Sequence, residues 1–221
     1  MATSSLKYYF YDMCPFARPT QYFLRTNNIA HEAIFVNIAK GEQKTPEFLS
    51  INPFGKVPTI VESDGFSVYE SSSLLRYLCN TRDLPDHWYP KDPRKRVKVD
   101  TFFDWYQAGA YSFNAYVHKD IPSLRDFFPS IGDPLVNLEK SLTDMEKKFL
   151  GDNKFLTGDE ISIADIQIIF YIANLGVVEY EIGDKFPKLK EWKERVITGD
   201  IKSDYDKYVV DATEYFDRLK K

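Results

Sequence analysis

The sequence predicts a small α/β domain followed by a larger all-α domain. Strand and helix patterns alternate up to about residue 81, whereas the chain from about residue 93 onward carries only helical periodicity. Between these two parts, residues 83–90 contain two prolines, which is typical of a linker. We therefore expect two domains, at 1–84 and 90–221.

The first domain opens with a strand–helix–strand pattern. Residues 6–11 are rich in aromatic side chains and contain neither Gly nor Pro, which predicts a strand. Apolar residues at helical spacing follow from Phe16 to about Asn28, and residues 31–36 have the composition of a second strand. A β-α-β unit implies a parallel strand pair joined by a right-handed crossover.

The second half of this domain has the pattern of a hairpin and a helix. A short helix is expected after Thr45, a good N-cap, with Pro46 in its first position. The 52–61 stretch, with two prolines around a glycine, then leads into a strand, and 66–69 is the returning strand after the turn at 63–65. Glu70 opens a helix that reaches about residue 81. The order β-α-β, then β-β-α, is that of the thioredoxin fold.

The second domain is predicted to contain only helices, over 94–119, 133–150, 163–175, 186–196 and 203–219. Ser162 and Asp165 have the spacing of a capping box at the start of the third helix. Because the 163–175 segment is apolar nearly all round, we expect it to lie buried at the centre of its domain.

Composition and charge argue against several functions. The net charge is −4 and the longest basic block, Arg94–Arg96 followed by Lys98, is typical of a solvated helix face, so nucleic acid is not the expected partner. No apolar run is long enough for a membrane span, and the first strand begins too early to leave room for a signal peptide. With only two cysteines a disulfide framework is not expected. We predict a cytoplasmic protein without a metal site.

Cys14 stands out because it lies at the predicted turn from the first strand into the first helix, with Pro15 at or near the first helical position. A thiol at a helix N-terminus faces free backbone N–H groups, which favour the thiolate, so we expect its pKa to lie below the usual value of about 8.5. The alternative is that Cys14 is a small buried apolar residue. Cys79, among the leucines of the 71–81 helix, is expected to be structural.

Five short motifs resemble those of the cytosolic glutathione transferases, in the same order and across almost the whole chain. They are Lys-Gly-Glu at 40–42, Asn-Pro-Phe-Gly-Lys-Val-Pro at 52–58, Glu-Ser at 70–71, Asp-His-Trp-Tyr-Pro at 86–90 and Ser-Ile-Ala-Asp at 162–165. The linker and the second domain look most like the theta class. The resemblance implies a thioredoxin-like domain, a helical second domain and glutathione as co-substrate.

The resemblance also implies contacts for each part of glutathione. Val57 precedes Pro58, which is cis in this family, so that the Val57 backbone is free to pair with the cysteinyl part of glutathione. Glu70 and Ser71 would hold the amine and the carboxylate of the γ-glutamyl part at the start of a helix. Glu70 and Ser71 taken alone would be an ordinary helix start.

The glycyl carboxylate of glutathione is expected to lie near two lysines, Lys44 and Lys56. Gln43 occupies a place where theta enzymes commonly have a histidine, and Phe16 belongs to the turn beside the bound ligand. These four residues complete the glutathione contacts that the resemblance implies.

The catalytic turn departs from the theta pattern, in which a serine stands where this chain has Cys14. Cys-Pro-Phe-Ala at 14–17 resembles the omega class instead, whose cysteine forms a mixed disulfide with glutathione. Because Ala17 stands where a second cysteine would complete a C-x-x-C motif, a second glutathione would have to resolve that disulfide. Thiol transfer through Cys14 is therefore the first hypothesis, and conjugation of electrophiles is the second. An inert Cys14, with Tyr8, Tyr9 or Tyr11 activating glutathione, remains open.

A function of another class is also open. Domains of this fold serve as non-catalytic scaffolds in larger complexes, such as the gamma subunits of translation elongation factors. For an enzyme, the second substrate would be a small electrophile or a mixed disulfide. The family's electrophile pocket implies a role for aromatic residues of the 105–120 segment, which at helical spacing could equally belong to the core: Tyr106, Tyr111, Phe113 and Tyr116. The family also implies a homodimer through the 94–119 helix and the 66–81 region.

Overall fold

The structure, a computed structural model, describes residues 6–125, 128 and 130–220. The chain divides into two compact units, Met1–Pro85 and Asp86–Lys221. In the described parts, the strands of the sheet lie in the first unit and the second unit is built from helices.

The first unit has a four-stranded sheet in the order β2-β1-β3-β4. The strands β1 and β2 pair in parallel, and the other two pairs are antiparallel. The elements in chain order are β1 (Leu6–Phe10), α1 (Ala17–Thr26), β2 (His31–Phe35), α2 (Pro46–Ile51), β3 (Thr59–Val61), β4 (Ser67–Tyr69) and α3 (Ser71–Thr81). The predicted order of elements is thus the observed one.

Local signals explain most of these boundaries. Thr45 accepts a hydrogen bond from the backbone N–H of Phe48 and Pro46 begins α2, as predicted. Between β3 and β4, Gly65 has a φ of +90°, a conformation that suits glycine, and its N–H donates to the carbonyl of Glu62. The hairpin predicted around residues 63–65 is confirmed.

The start of α1 differs from the prediction. The helix begins at Ala17 with Phe16 as its N-cap, so Pro15 does not occupy the first helical position. A tight turn comes first: the N–H of Cys14 donates to the carbonyl of Tyr11, and the carbonyl of Cys14 accepts from the N–H of Ala17, each at 3.0 Å. The Cys14 carbonyl also accepts from the N–H of Arg18 at 3.2 Å, so Cys14 lies in the turn that leads into the helix, two residues before the N-cap Phe16.

The second unit contains α4 (Pro93–Val117), α5 (Pro122–Arg125), α6 (Pro134–Asp144), α7 (Ile163–Val177), α8 (Pro187–Val196) and α9 (Asp200–Leu219). The helix predicted over 133–150 changes character, because α6 ends at Asp144 and a π-helical segment, Met145–Leu150, follows it. The short α5 had no clear pattern in the sequence. Helix α4 packs against α6 and α7, and α7 packs against α8 and α9.

Helix α7 forms the centre of the helical core, as its all-round apolar sequence predicts. The capping box is present: Ser162 accepts from the backbone of α7, and the Asp165 carboxylate accepts from the N–H of Ser162 at 2.9 Å. Asp165 also accepts from the indole N–H of Trp192 at 2.8 Å and from the N–H of Leu156 at 2.9 Å. One buried carboxylate thus ties α7 to α8 and to the preceding loop.

Candidate functional site

Cys14 lies beside the loop that carries Val57, although 43 residues separate the two in the chain. The Cys14 Sγ donates to the backbone carbonyl of Val57 across 3.8 Å, a long contact that suits a weak thiol donor. Cys14 as a residue is half-buried. The structure therefore brings together two of the residues that the sequence assigned to the glutathione site.

The electrostatics of Cys14 contradict the sequence-based expectation. Burial raises the pKa of the Cys14 thiol to about 11, and hydrogen bonds from the backbone N–H groups of Ala17 and Phe16 oppose this only in part, as does the charge of Arg18. The prediction of a pKa below the free value was wrong because the loss of water around the sulfur outweighs the helix-start N–H groups. At neutral pH Cys14 carries its proton.

Arg18 and Tyr8 hold the Cys14 turn in place, a structural role that the sequence did not indicate for either residue. The Arg18 Nε donates to the backbone carbonyl of Asp12 at 2.7 Å, and its guanidinium lies 3.4 Å from the Asp12 carboxylate. The Tyr8 hydroxyl donates to the carbonyl of Ala17 at 2.6 Å. These contacts fix both ends of the turn around Cys14.

The same contacts bear on the tyrosines that were candidates for activating glutathione. Tyr8 is fully buried, and burial raises the pKa of its hydroxyl well above the ordinary value. Its proton is already donated to Ala17. Tyr8 is therefore a structural residue. The rings of Tyr9 and Tyr11 pack on Phe48 and Phe35 respectively.

The Val57 loop has the cis peptide bond to Pro58 that the resemblance implied. Asn52, almost completely buried, shapes this loop: its amide group donates to the carbonyl of Lys56 at 2.8 Å and to the hydroxyl of Thr59 at 2.9 Å. Its side-chain oxygen accepts from the N–H of Phe54. The sequence showed Asn52 only as part of a motif, since its role depends on contacts across the loop.

The segment that carries Gln43 and Lys44 lies against the same loop. Gly55 has a φ of +56°, and a Cβ at this position would stand 2.7 Å from the carbonyl oxygen of Gln43. The Lys44 Nζ donates to the carbonyl of Phe54 at 3.3 Å. Only glycine therefore allows the two segments to come this close, and Lys44 and Lys56 both lie exposed near this junction.

Glu70 and Ser71 stand at the start of α3, as predicted. Glu70 is exposed and has a φ of +70°, which is uncommon for a residue with a side chain and typical of functional sites. Ser71 is the first residue of the helix and is buried. The ring of Phe54 packs against that of Tyr69, with centroids 5.5 Å apart, so the 52–58 loop contacts the strand that ends beside Glu70.

The aromatic residues of the 105–120 segment divide into two groups. Tyr106 and Phe113 are buried in the helical unit, and the Tyr106 hydroxyl accepts from the amide of Gln167 at 3.0 Å. Tyr111 is exposed, and Tyr116 is half-buried with its ring against Tyr180. At least Tyr106 and Phe113 therefore belong to the core.

The described residues include neither a metal-binding cluster nor a helix that could span a membrane. Within 6–125, 128 and 130–220, no group of three or more His, Cys, Asp or Glu side chains is arranged to hold a metal ion. Over the same ranges, no helix has the length and apolar character that a bilayer span requires.

Comparison with known proteins identifies the family. Residues 13–81 match the glutathione S-transferase N-terminal domain, and residues 134–200 match the glutathione S-transferase C-terminal domain. Human glutathione S-transferase theta-2 is 32% identical over 185 residues, which cover 81% of this chain and 75% of the relative. The chain belongs to the glutathione S-transferase family. Arabidopsis thaliana glutathione S-transferase T1 is 34% identical over 187 residues, covering 79% of this chain and 74% of the relative.

A solved structure agrees with this assignment to the glutathione S-transferases. Human glutathione transferase theta-2, in complex with glutathione and an unknown ligand, has a TM-score of 0.84 and 27% identity, covering 95% of this chain and 89% of that one. The predicted fold class, a thioredoxin-like domain plus a helical domain, is confirmed, and so are the theta-like relationship and the prediction of a glutathione transferase enzyme.

Proposed function

We propose that this glutathione transferase uses glutathione as co-substrate to conjugate small electrophiles, with a protonated Cys14 beside the glutathione sulfur. The observation that carries the proposal is the contact between the Cys14 Sγ and the Val57 carbonyl. Val57 precedes the cis Pro58, and its backbone is where the cysteinyl part of glutathione is expected to pair. Glutathione bound in this way has its sulfur near that of Cys14.

The rest of the proposed glutathione site follows the charges and donors of the first unit. Ser71 and the N–H groups at the start of α3 suit the γ-glutamyl carboxylate, and the Glu70 carboxylate suits the γ-glutamyl amine. The unusual backbone of Glu70 supports this assignment, because a strained residue persists where the surrounding structure holds it in a functional position.

The glycyl carboxylate is assigned to the junction of the 42–44 and 54–56 segments. Lys44 and Lys56 supply positive charge there, and the side-chain amide N–H groups of Gln43 are the donors that suit a carboxylate. Phe16, half-buried at the N-cap of α1, would line the site next to Cys14. These proposed glutathione-binding residues are the ones that the resemblance implied, and the contacts described above support the proposal.

In the proposed reaction Cys14 acts as a hydrogen-bond donor. The glutathione thiol loses its proton to solvent, and the Cys14 S–H, turned from the Val57 carbonyl to the glutathione sulfur, stabilises the resulting thiolate. The thiolate attacks an electrophilic carbon, so that a C–S bond forms while the bond to the leaving group breaks and the leaving group takes the electron pair. Cys14 keeps its proton, which is consistent with a pKa raised to about 11.

Thiol transfer is the second candidate, favoured by the Cys-Pro-Phe-Ala turn and by the N–H groups of Ala17 and Phe16 near the sulfur. Here the Cys14 thiolate attacks the glutathione sulfur of a mixed disulfide, the S–S bond breaks and the other thiolate leaves. A second glutathione then attacks the Cys14 adduct, releasing Cys14 and forming glutathione disulfide. The raised pKa places this route second, because the thiolate is the nucleophile.

The test compares the two reactions in one preparation. Activity with a chloronitrobenzene-type electrophile and with a mixed disulfide is measured for the parent protein, Cys14→Ser and Cys14→Ala. The proposal expects Cys14→Ser to retain conjugation, because serine donates a stronger hydrogen bond, and to lose thiol transfer. If mixed-disulfide turnover dominates and vanishes in Cys14→Ser along with conjugation, thiol transfer is the function. Failure to bind immobilised glutathione would reject both.

We also propose a homodimer, formed around a two-fold axis through the 94–119 helix and the 66–81 region. Exposed apolar residues in these segments support it, among them Phe66, Val97 and Tyr111. Sedimentation at micromolar concentration should give twice the mass of one chain. A single-chain mass would contradict the proposal.

A cytoplasmic location is proposed on the state of the cysteines. Cys14 and Cys79 are both free, which suits a reducing compartment. Cell fractionation should recover the protein with cytosolic markers, and recovery in a membrane or secreted fraction would overturn this assignment.

A further inference from the structure

A recess in the helical unit collects two lysines that the glutathione site does not use. It has a volume of about 240 Å³ and lies between α4, the π-helical segment and the loop that follows it. Lys98 and Thr101 of α4 line one side, and Lys148 of the π-helical segment lines another. Lys98 belongs to the basic stretch that begins at Arg94, which the sequence alone suggested was only a solvated helix face.

Within the described part of the chain, the charge of this lysine recess is only partly neutralised. Lys98 is exposed and makes no hydrogen bond or ion pair with any residue in the described part of the chain. Lys148 pairs with Asp144 at 2.7 Å, but its side chain is 70% exposed, and such a pair adds little stability, so the ammonium group can turn toward a ligand. The described residues that line the recess include no carboxylate.

A second basic residue on α4 adds to this charge. Arg94 stands four residues before Lys98, so the two side chains lie on the same face of the helix, where like charges repel. Arg94 is exposed, and its side chain, like that of Lys98, has no acidic partner among the described residues. A bound anion would relieve this repulsion.

The floor of the recess is apolar and firmly held. The ring of Phe149 packs against Phe102 and Trp105, with centroid distances of 5.3 and 4.9 Å. Leu156, also in the lining, is buried, and its N–H donates to the Asp165 carboxylate. An apolar group of a ligand in the recess would therefore meet an ordered hydrophobic surface.

The backbone that carries Lys148 and Phe149 is irregular. A six-residue π-helical segment is rare, and such segments are frequent at functional sites. The segment leads into Gly151, which has a φ of +56°, a backbone angle that favours glycine. Asn153, which also lines the recess, donates its side-chain amide to the carbonyl of Leu150 at 3.1 Å, and Thr157 is a further lining residue.

We propose that the lysine recess binds a small organic phosphate monoester with a flat apolar body. Lys98 and Lys148 would hold the phosphate group, whose two negative charges match two ammonium groups, and the apolar body would rest on Phe149 and Leu156. The volume admits a single ring and its phosphate, and is smaller than the range of about 300–1,000 Å³ typical of drug-sized ligands. This binding is separate from the proposed glutathione chemistry.

Phenyl phosphate is the probe, titrated by calorimetry in saturating glutathione so that the proposed glutathione site is filled. We expect one bound molecule per chain, with an affinity that falls as salt rises. Lys98→Gln and Lys148→Gln should each weaken binding about tenfold, and the double variant should abolish it. Lys147→Gln, which changes a neighbouring exposed lysine outside the recess lining, is the matched control and should bind as the parent does.

Two ligand comparisons complete the test. Phenol, which keeps the ring and lacks the phosphate, should not bind measurably, and inorganic phosphate should bind more weakly than phenyl phosphate. Absence of phenyl phosphate binding at millimolar concentration would overturn the proposal, as would unchanged binding in the double variant. Equal affinity for inorganic phosphate and phenyl phosphate would overturn the role of the apolar floor.

Discussion

A measurement of the Cys14 pKa is the most direct test of the proposed chemistry. The perturbation is a pH titration of Cys14 in a Cys79→Ser background, so that a single thiol reports. Burial of the sulfur raises this pKa to about 11, against the combined effect of the Ala17 and Phe16 N–H groups and the Arg18 charge. We therefore expect the reactivity of the folded protein to keep rising with pH well beyond the range of an ordinary thiol.

The size of the effect follows from a Cys14 pKa of about 11 in the folded protein against the ordinary value of 9.0. A pKa of about 11 reduces the thiolate fraction near neutral pH by about 100-fold. The more basic thiolate is intrinsically more nucleophilic, by about 6- to 10-fold for a Brønsted slope of 0.4–0.5. The two effects together predict alkylation about tenfold slower than for the same cysteine in the unfolded chain.

The assay is the rate of carbamidomethylation by iodoacetamide, followed by mass spectrometry from neutral to strongly alkaline pH. The unfolded chain supplies the reference rate, and Cys14→Ser in the same background supplies the blank. A midpoint below about 8.5, or a folded rate equal to the unfolded one near neutral pH, would refute the reasoning and restore thiol transfer as the first hypothesis.

Three further predictions concern binding and stability. Ser71→Ala should weaken glutathione binding about tenfold or more in calorimetry, because a charge-assisted hydrogen bond is lost. Ser73→Ala, at an exposed position, is the control and should bind as the parent does. Equal affinities of the parent and Ser71→Ala would reject the site. Asn52→Ala should lower the free energy of unfolding in urea by about 2–3 kcal/mol, because the loop loses its buried hydrogen bonds. Asn80→Ala, at an exposed position, is the control. A change below about 0.5 kcal/mol in Asn52→Ala would contradict the prediction. Burial lowers the pKa of His118 to about 4 from 6.5, so the unfolded state binds the proton more readily and stability should fall by up to about 3 kcal/mol as pH drops from 6.5 to 4. His118→Phe should reduce that slope, and an unchanged slope would exclude His118 as its source.

Local signals in the sequence determined much of this fold. The start of α2 depends on Thr45 and Pro46, and the start of α7 depends on Ser162 and Asp165, in each case on residues within four positions of one another. Hydrogen bonds between residues this close in the chain can be predicted from the residue order, because the backbone brings the partners together as soon as the helix forms. The β-α-β and β-β-α order was likewise predictable from local patterns of apolar residues and turn residues.

The sequence also identified most residues of the proposed glutathione site, but through resemblance and not through local physics. Val57, Glu70 and Ser71 could be named because their motifs were in register. Their geometry, including the cis bond at Pro58 and the positive φ of Glu70, became visible only in the structure. The role of Asn52 was missed because its partners are spread over the whole turn of the loop.

What only the tertiary structure decided is the chemical state of Cys14. Its place after a strand and before a helix predicted a thiolate, because only the neighbouring N–H groups were visible in the sequence. The protonation of the sulfur depends on water being excluded by groups remote in the chain, such as Val57, 43 residues away. Desolvation is a property of three-dimensional packing, so residue order could locate this thiol at the site but could not set its charge.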